Sequence, residues 1–366
     1  MGAASNLVRD LILSIDAMGG DSGPAPILAG AAIARRRHPK IRFLLYGDEA
    51  VLKPLLARHR ALLRCAEIRH APAVVRMSEK PSQALRRGRN SSMWHALEAV
   101  ARGEAKVAVS AGNTGALMAI SMFRIGLIEG ISRPAIAVIW PTIRGQSVVL
   151  DVGANAGSDA EQLVDFAIMG EAFARAIFGI ARPTVGLLNI GEEEVKGIDS
   201  VKRAGQILRA SKLPIEFYGN VEGDGIGKGI VDVIVTDGFT GNVALKTAEG
   251  TAELIVHYLR SALKRSLLGR LGAILASGAF RVLKRKLDPR TLNGGVFLGL
   301  NGVVVKSHGS ADALGFASAI DLAIDMGQSD MIAHILADRA GVSSLPDSAE
   351  TSEPSTGADA AQAVAS

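Results

Sequence analysis

Residues 106–116 read KVAVSAGNTGA, and this stretch decides the fold class. Its first part, residues 106–110, is a short run of mostly apolar residues, as is typical of a strand buried on both faces of a sheet. Its second part, residues 110–116, is a glycine-rich turn where a helix should begin. A strand, a glycine turn and a helix form the repeating unit of parallel α/β proteins, which bind ligands beyond the carboxyl ends of their strands.

The same alternation runs through most of the chain, so the sequence predicts an α/β protein with a largely parallel sheet. Strands are predicted at residues 11–16, 41–46, 106–110, 135–139, 147–151, 185–190 and 231–236. Helices are predicted at residues 26–37, 92–102, 160–178 and 329–339. Ser158 and Asp159 are both suitable N-caps for the third of these helices.

Composition excludes several classes of protein. The chain has 366 residues, of which 48% are hydrophobic, enough for a large core and too many for a disordered protein. Its one cysteine, Cys65, rules out an intramolecular disulfide or a cysteine zinc cluster and fits a reducing cytoplasm. No apolar run approaches the roughly 18 to 20 residues of a membrane-spanning helix, and no secretory signal is expected.

The net charge of +5 is unevenly distributed. Residues 1–90 carry +9 and residues 254–287 carry +8, which leaves −12 for the rest of the chain. Residues 254–287 are both basic and apolar, and we expect two amphipathic helices there, protruding and joined between Gly269 and Gly278. They form either a core or dimer contact or a surface for anionic lipid or an acidic protein. We expect residues 341–366 to be a disordered tail.

Six glycine-rich turns fall where predicted strands end, and we expect them to share one edge of the sheet and one site. They are DAMGGD (16–21), SAGNTGA (110–116), DVGAN (151–155), NIGEEEVKG (189–197), TDGFTGN (236–242) and KSHGSAD (306–312).

The turn SAGNTGA combines the features of an anion site. Gly112 and Gly115 allow the backbone to approach a ligand, and Asn113 and Thr114 stand where a helix N-terminus exposes unpaired amides. Phosphate suits such a turn, although a tight structural turn with a capped helix has the same sequence. No histidine spacing indicates a metal site, and Cys65 lies in none of the turns, so acyl chemistry would proceed by direct attack of one substrate on the other.

Together these motifs resemble the phosphate acyltransferases of bacterial phospholipid synthesis, the PlsX family, over about residues 11–339. The shared motifs are, in order, DAMGGD, NSSM (90–93), SAGNTGAL, LDVGAN, GLLNIGEE followed by KG, DVIVTDGFTGNVALK and GLNGVVVKSHGSAD. The chain departs from the family pattern where residues 306–311 read KSHGSA in place of KAHGSS and where residues 294–299 read GGVFLG. Ala311 therefore lacks the hydroxyl that the family pattern has there.

The resemblance implies that inorganic phosphate attacks the thioester of a long-chain acyl carrier protein, giving acyl phosphate and free carrier. It also implies one domain over residues 7–340, a three-layer fold similar to isopropylmalate dehydrogenase, and a cytoplasmic homodimer attached loosely to the inner membrane face. No metal, cofactor or nucleic acid is expected. Acyl carrier protein and the downstream glycerol-3-phosphate acyltransferase are the expected partners.

Roles follow from the chemistry of that reaction. An oxyanion needs a donor, for which Lys196 and Asn242 are candidates, and His308 is the candidate proton donor. The alternatives are a surface salt bridge for Lys196, a helix cap for Asn242 and a structural role for His308.

Candidate phosphate or substrate ligands are Asp16, Gly19, Gly20, Asn113, Thr114, Gly115, Asn155 and Lys306. Candidate docking residues for the acidic carrier, or merely a solvated face, are Arg86, Arg87 and Arg89.

Three other functions remain open from the sequence. A phosphotransacetylase-like enzyme would use acyl-CoA in the same reaction. A metal-dependent decarboxylating dehydrogenase would need clustered aspartates and a nucleotide loop, which cannot be placed in this chain. A basic membrane or nucleic-acid binder would leave the six glycine turns unexplained, and the chain lacks aromatic residues between its basic ones.

Overall fold

The computed structural model describes residues 11–280 and 294–342, in which the described strands form one sheet. The strands are β1 Ile12–Asp16, β2 Arg42–Gly47, β3 Ala66–His70, β4 Val107–Ser110, β5 Ala135–Thr142, β6 Gly145–Leu150, β7 Thr184–Leu188, β8 Glu216–Val221, β9 Val233–Val235, β10 Gly295–Leu298 and β11 Val303–Lys306. The helices are α1 Pro24–Arg37, α2 Glu49–Leu56, α3 Pro81–Arg87, α4 Ser92–Ala101, α5 Thr114–Arg124, α6 Ala160–Phe178, α7 Asp199–Ala210, α8 Gly223–Lys228, α9 Gly238–Lys264, α10 Leu267–Leu275, α11 Ala313–Gly327 and α12 Met331–Val342.

The strand order is β3-β2-β1-β4-β11-β10-β5-β6-β9-β7-β8. Two blocks of parallel strands are joined through three antiparallel pairings, β11 with β10, β10 with β5, and β5 with β6. Because that number is odd, β6, β9, β7 and β8 run opposite to β1, β2, β3, β4 and β11. The carboxyl ends of the two blocks therefore point in opposite directions. The register nevertheless brings them close together, because Ser110, Lys306, Gly295, Val138 and Val149 are aligned across the sheet and Leu150 lies in the next row.

Helices cover both faces of the sheet, which confirms the predicted α/β class with its three layers. One apolar core packs α1, α2, α6, α7, α11 and α12 against the sheet, and a second packs α3, α4, α5, α8 and the start of α9 against the other face. None of the described helices is long and apolar enough to cross a membrane.

All seven predicted strands are present. Four further strands were not predicted, and their sequences explain why. In β3 and β8, at the two ends of the sheet, exposed polar residues such as Glu67 and Glu216 interrupt the apolar run. Strands β10 and β11 lie in the stretch GGVFLGLNGVVVK (294–306), where glycines on both sides of each short run resemble turn signals. For α6, Asp159 is the N-cap and forms a capping box with Gln162, so the alternative cap at Ser158 is wrong.

The predicted helix pair corresponds to the second half of α9 and to α10. Helices α9 and α10 are separated at residues 265–266, and a second break at Ala276 falls within the expected joint between Gly269 and Gly278, which stays a prediction. Helix α9 begins at Gly238, which makes it continuous with the TDGFTGN turn. Residues 281–287 of the predicted pair, residues 7–10 of the predicted domain and residues 343–366 of the predicted tail lie outside the described residues.

Candidate active site

The six glycine turns form two groups rather than one, because strand direction reverses within the sheet. Those at residues 16–21, 110–116 and 306–312 follow β1, β4 and β11 and are called here the Asp16 group. Those at residues 151–155, 189–197 and 236–242 follow β6, β7 and β9 and are called the Asp151 group. The expectation that all six turns point the same way from one edge of the sheet is therefore wrong, but the ends of β4, β11 and β6 lie in neighbouring rows, so the expectation of one shared site stays a prediction.

Asp16 is a buried residue that links neighbouring segments of the Asp16 group. Its side chain is 1% exposed, and its two carboxylate oxygens accept hydrogen bonds of 2.6 Å from the hydroxyls of Ser92 and Ser110. Burial raises the pKa of the Asp16 carboxyl, although both serine hydrogen bonds oppose the shift. The geometry gives Asp16 a positioning role, since its carboxylate ties the start of α4 and the end of β4 to the turn after β1.

Close backbone contact holds the three turns of this group together. The amide of Asp21 donates to the carbonyl of Gly309 at 2.8 Å, which joins the turn after β1 to the turn after β11. A Cβ atom at Gly19 would lie 2.6 Å from the Asp16 carboxylate, and Gly20 has a φ of 91°. Both glycines are therefore required by the shape of the turn.

Asn113 is the N-cap of α5, and its side chain is fully engaged with the protein. Its oxygen accepts from the amide of Ala116 at 3.0 Å, and its NH₂ donates to the carbonyls of Met77 at 2.7 Å and Glu79 at 2.9 Å. It thereby holds residues 76–79 over the turn. The groups suited to an anion are instead the first-turn amides of Thr114 and Gly115, which have no acceptor within an α-helix.

Lys306 brings a cation to the same turn. Its ammonium donates to the carbonyl of Ser307 and lies 3.5 Å from the carbonyl oxygen of Ala111, next to the start of α5. Burial lowers the pKa of Lys306 to about 8; Asp21 and Asp16 oppose this shift, and Lys246 adds to it. Lys306 is still mostly protonated at pH 7, and a largely desolvated ammonium attracts an anion more strongly than a solvated one.

His308 follows Lys306 on the exposed turn. Its Nδ1 lies 2.8 Å from the hydroxyl oxygen of Ser310 and accepts from the Ser310 amide at 3.3 Å. An Nδ1 atom that accepts a hydrogen bond places the proton of the neutral ring on Nε2. Ser310 therefore orients the ring, and Ala311 takes no part in this contact.

Asp151 organises the second group in a different way. Its buried carboxylate accepts five N–H hydrogen bonds of 2.8 to 3.1 Å, from the amides of Ile136, Gly153, Ala154 and Asn155 and from the Asn155 side chain. The same Asn155 NH₂ also donates to the carbonyl of Pro134 at 2.8 Å. Like Asn113, Asn155 is thus engaged in holding a turn in place.

The first turn of α9 lies directly on this loop. Asp237 is the N-cap and accepts from the amide of Thr240 at 2.9 Å, so the alternative of a capping role for Asn242 is wrong. A Cβ at Gly241 would overlap the carbonyl of Asp151, so only glycine allows this approach. Asn242 is exposed and lies beside Gly153, which leaves its amide accessible to a ligand.

Lys196 is exposed at the end of the NIGEEEVKG turn. Asn189 donates to its carbonyl at 3.1 Å, which fixes the backbone of the turn. Within residues 11–280 and 294–342 no carboxylate forms a salt bridge with its ammonium, so the alternative of a surface ion pair finds no support there.

Lys246 is a residue that the sequence analysis missed. It lies on α9 one helical turn after Asn242, and its ammonium is close enough to Lys306 to lower the pKa of that group. It is held by Glu249 at 2.7 Å. Helix α9 thus runs from the Asp151 group towards Lys306 of the Asp16 group. The spacing in GNVALK, with Asn242 and Lys246 four residues apart at the start of a helix, is the signal that could have identified it.

Arg86, Arg87 and Arg89 lie on the rim of the Asp16 group. Arg86 and Arg87 end α3, which packs against α5, and Arg89 lies in the single helical turn that follows. All three side chains are exposed. Of the side chains the structure describes, no three histidine, cysteine, aspartate or glutamate residues are grouped so as to hold a metal ion.

Comparison with known proteins identifies the family. Residues 11–334 match the family model described as fatty acid synthesis protein. A phosphate acyltransferase of Parvibaculum lavamentivorans is 59% identical over 340 residues, covering 93% of this chain and 94% of the relative. The chain belongs to the phosphate acyltransferase family. Another member, from Rhizobium meliloti, is 58% identical over 330 residues, covering 90% of this chain and 95% of that protein.

The predicted resemblance to the phosphate acyltransferase family is therefore confirmed, and the chain is an enzyme of acyl transfer to phosphate in fatty acid or phospholipid synthesis. Solved structures agree on the fold. The EutD phosphotransacetylase from Staphylococcus aureus has a TM-score of 0.57 at 17% identity, covering 87% of this chain and 94% of its own. A putative 4-hydroxythreonine-4-phosphate dehydrogenase from Salmonella typhimurium has a TM-score of 0.51 at 13% identity, covering 87% and 99%. At these identities the likeness concerns the fold alone.

Proposed function

We propose that this enzyme forms acyl phosphate from long-chain acyl carrier protein and inorganic phosphate, an early step towards phosphatidic acid. The main observation behind the proposal is the position of Lys306. Its largely buried ammonium lies beside the N-terminus of α5, and α9 runs towards it. Phosphate binds there, to the amides of Thr114 and Gly115, the Thr114 hydroxyl and Lys306. Asp16, Gly19, Gly20 and Asn113 shape this pocket.

The reaction is a direct displacement. A phosphate oxygen attacks the thioester carbonyl, the new C–O bond forms, and the C–S bond breaks with its electron pair leaving on sulfur. Asn242 and Lys196 donate to the oxyanion formed on the way, and one such donor stabilises the transition state by roughly 3 to 4 kcal/mol. No acyl-enzyme is needed, and Cys65 is unsuited to one because it is buried and its thiol donates to the carbonyl of Ala61.

The thiolate that leaves is a moderately weak base, since the pKa of a thiol is about 8.5. It departs without a strong acid, and His308 gives it a proton when the ring is an imidazolium, with Nδ1–H donating to the Ser310 hydroxyl and Nε2–H facing the sulfur. Lys246 adds positive charge between the phosphate and the carbonyl. Each of these groups lies on a turn or on the first turns of α9.

The acyl carrier protein is acidic, and Arg86, Arg87 and Arg89 offer it a basic rim next to the phosphate site. The exposed apolar residues of α9 and α10, among them Leu254, Tyr258 and Leu271, alternate with basic ones. This surface serves a homodimer or the inner membrane face, where the lipid-soluble product passes to the downstream glycerol-3-phosphate acyltransferase.

The decisive test is to incubate the purified enzyme with phosphate and either long-chain acyl carrier protein or the matching acyl-CoA, and to follow acyl phosphate. We expect product with the carrier protein. Efficient use of acyl-CoA alone would instead favour a phosphotransacetylase-like activity, and no product with either would overturn the proposed function. In the same assay Arg86→Glu raises KM for the carrier substrate several-fold at low salt, whereas Arg58→Glu, a distant exposed control, leaves it unchanged.

A further inference from the structure

Three consecutive glutamates stand just before Lys196 in the turn NIGEEEVKG. They are Glu192, Glu193 and Glu194, and all three are exposed, as Lys196 is. A carboxylate that binds the ammonium directly occupies its N–H donors, so such an ion pair would compete with the oxyanion proposed as the partner of Lys196. For Lys196 to act as a donor, these acidic side chains have to be kept from pairing with it.

The backbone of this turn is fixed at two points. Asn220, near the end of β8, is buried, and its NH₂ group donates to the carbonyl of Glu193 at 3.2 Å. Asn189 donates to the carbonyl of Lys196 at 3.1 Å. Because the backbone is held at both points, the direction of each glutamate side chain decides whether it meets the ammonium.

Two of the acidic side chains differ in where they lie. A Cβ atom at Gly191 would be 2.7 Å from a carboxylate oxygen of Glu193 and 3.2 Å from Cγ of Lys196, so these two side chains flank the glycine. Within the part of the chain that the structure describes, no salt bridge joins them. The carboxylate of Glu194 is bound elsewhere, 3.1 Å from a guanidinium nitrogen of Arg209 in the last turn of α7.

Arg209 is itself held against strand β8. Its guanidinium carbon lies 5.4 Å from the centre of the Phe217 ring. The pairing of β8 with β7 skips Tyr218, and just after this bulge a Cβ atom at Gly219 would lie 3.8 Å from a nitrogen of the same guanidinium. A guanidinium stacked on an aromatic ring loses less side-chain entropy on pairing than a free one, so its ion pair with Glu194 is stronger than an ordinary exposed pair.

We propose that Arg209 is a positioning residue that keeps Glu194 from pairing with Lys196 and so leaves the ammonium free for the oxyanion. The inference rests on the proposed function, in which Lys196 is that donor. Glu194 and Lys196 are two residues apart, so their Cα atoms lie within about 7 Å and their side chains are long enough to meet. Once Arg209 is removed, the attraction of an exposed ion pair favours the pairing of Glu194 with Lys196 up to about five-fold.

The test is a double-mutant cycle with kcat for acyl phosphate formation as its readout. Arg209→Met removes the charge but keeps an unbranched apolar side chain against Phe217, and it should lower kcat about three- to five-fold. KM for phosphate should not change, since phosphate is proposed to bind at the Asp16 group. Glu194→Gln alone should keep kcat within about two-fold, and its addition to Arg209→Met should restore kcat to the same range.

Arg203→Met is the matched control. It lies on the same helix and breaks an exposed ion pair with Glu161, at 3.4 Å, so it should leave kcat unchanged. Thermal unfolding checks each variant, and Arg209→Gln takes the place of Arg209→Met if the latter does not fold.

The outcomes separate the inference from the function on which it rests. An unchanged kcat in Arg209→Met overturns the inference. A Glu194→Gln variant as slow as Arg209→Met, or a double variant that stays slow, also overturns it, because Arg209 would then act by anchoring the turn rather than by binding an acid. If Lys196→Met keeps the kcat of the unmodified enzyme, the proposed oxyanion role of Lys196 fails, and the inference fails with it.

Discussion

The Asp16 and Asp151 groups each place a buried carboxylate at the carboxyl end of a strand, but they use it differently. Asp16 accepts its two 2.6 Å hydrogen bonds from serine hydroxyls, which rotate, with weaker help from the backbone amides of Met18 and Gly19, and burial raises the pKa of its carboxyl. Asp151 accepts five N–H groups whose directions are set by the backbone and by Asn155. The first arrangement supports a cation site around Lys306, and the second fixes a loop on which α9 begins. A buried aspartate at the end of a strand thus has a different physical role in each group.

The sharpest test of this comparison replaces each carboxylate by its amide. Asp151→Asn places an NH₂ group against N–H donors that cannot turn away, so we expect the free energy of unfolding to fall by about 3 to 5 kcal/mol. Asp16→Asn should cost only about 1 kcal/mol, because a serine hydroxyl can accept from the new NH₂ and the desolvated carboxylate is removed, while Asp21 still supports the charge of Lys306. Urea unfolding at pH 7 measures both values, and equal losses would remove the distinction between the groups.

A second test asks whether the positive charge of Lys306, in the Asp16 group, binds phosphate. Lys306→Met preserves the shape of the side chain and removes its charge, so we expect kcat/KM for phosphate to fall about 100-fold. Thermal stability should not fall, since a desolvated charge is lost. Lys202→Met, at a half-buried lysine of α7 that pairs with the exposed Asp199, is the control and should leave kinetics unchanged. A loss of less than three-fold at Lys306 would contradict its role in phosphate binding.

The pH dependence gives a finer test of the same residue. The pKa of Lys306 is lowered to about 8, so most of its charge is lost between about pH 7 and 9, where exposed lysines are still protonated. We expect kcat/KM for phosphate to be constant from pH 7.2 to about 8 after correction for phosphate ionisation, and then to fall about ten-fold per pH unit. Lys306→Arg stays charged throughout, and its profile should lack this decline. A decline of the same shape in Lys306→Arg would assign it to another group.

The family and the elements of the fold could be predicted from sequence because both depend on local patterns. The run before each glycine turn identifies a strand, and the ordered set of motifs from DAMGGD to KSHGSAD identifies the phosphate acyltransferase family. Cys65 could be set aside for the same reason, since it lies in none of the turns. The edge strands β3 and β8 escaped prediction because their polar residues break the apolar run on which the pattern depends.

Only the tertiary structure decided how the turns are divided and which side chains remain accessible. Strand direction depends on which strands pair, and the pairing of β5 with β6 and of β10 with its neighbours reverses half of the sheet. Asn113 and Asn155 looked like ligands in sequence, but distant carbonyls at Met77 and Pro134 occupy their amide groups. Lys246 lies near Lys306 because α9 runs from the Asp151 group towards the Asp16 group. Local sequence determines an element and the turn that follows it, whereas contacts between residues far apart in the chain determine what that turn can bind.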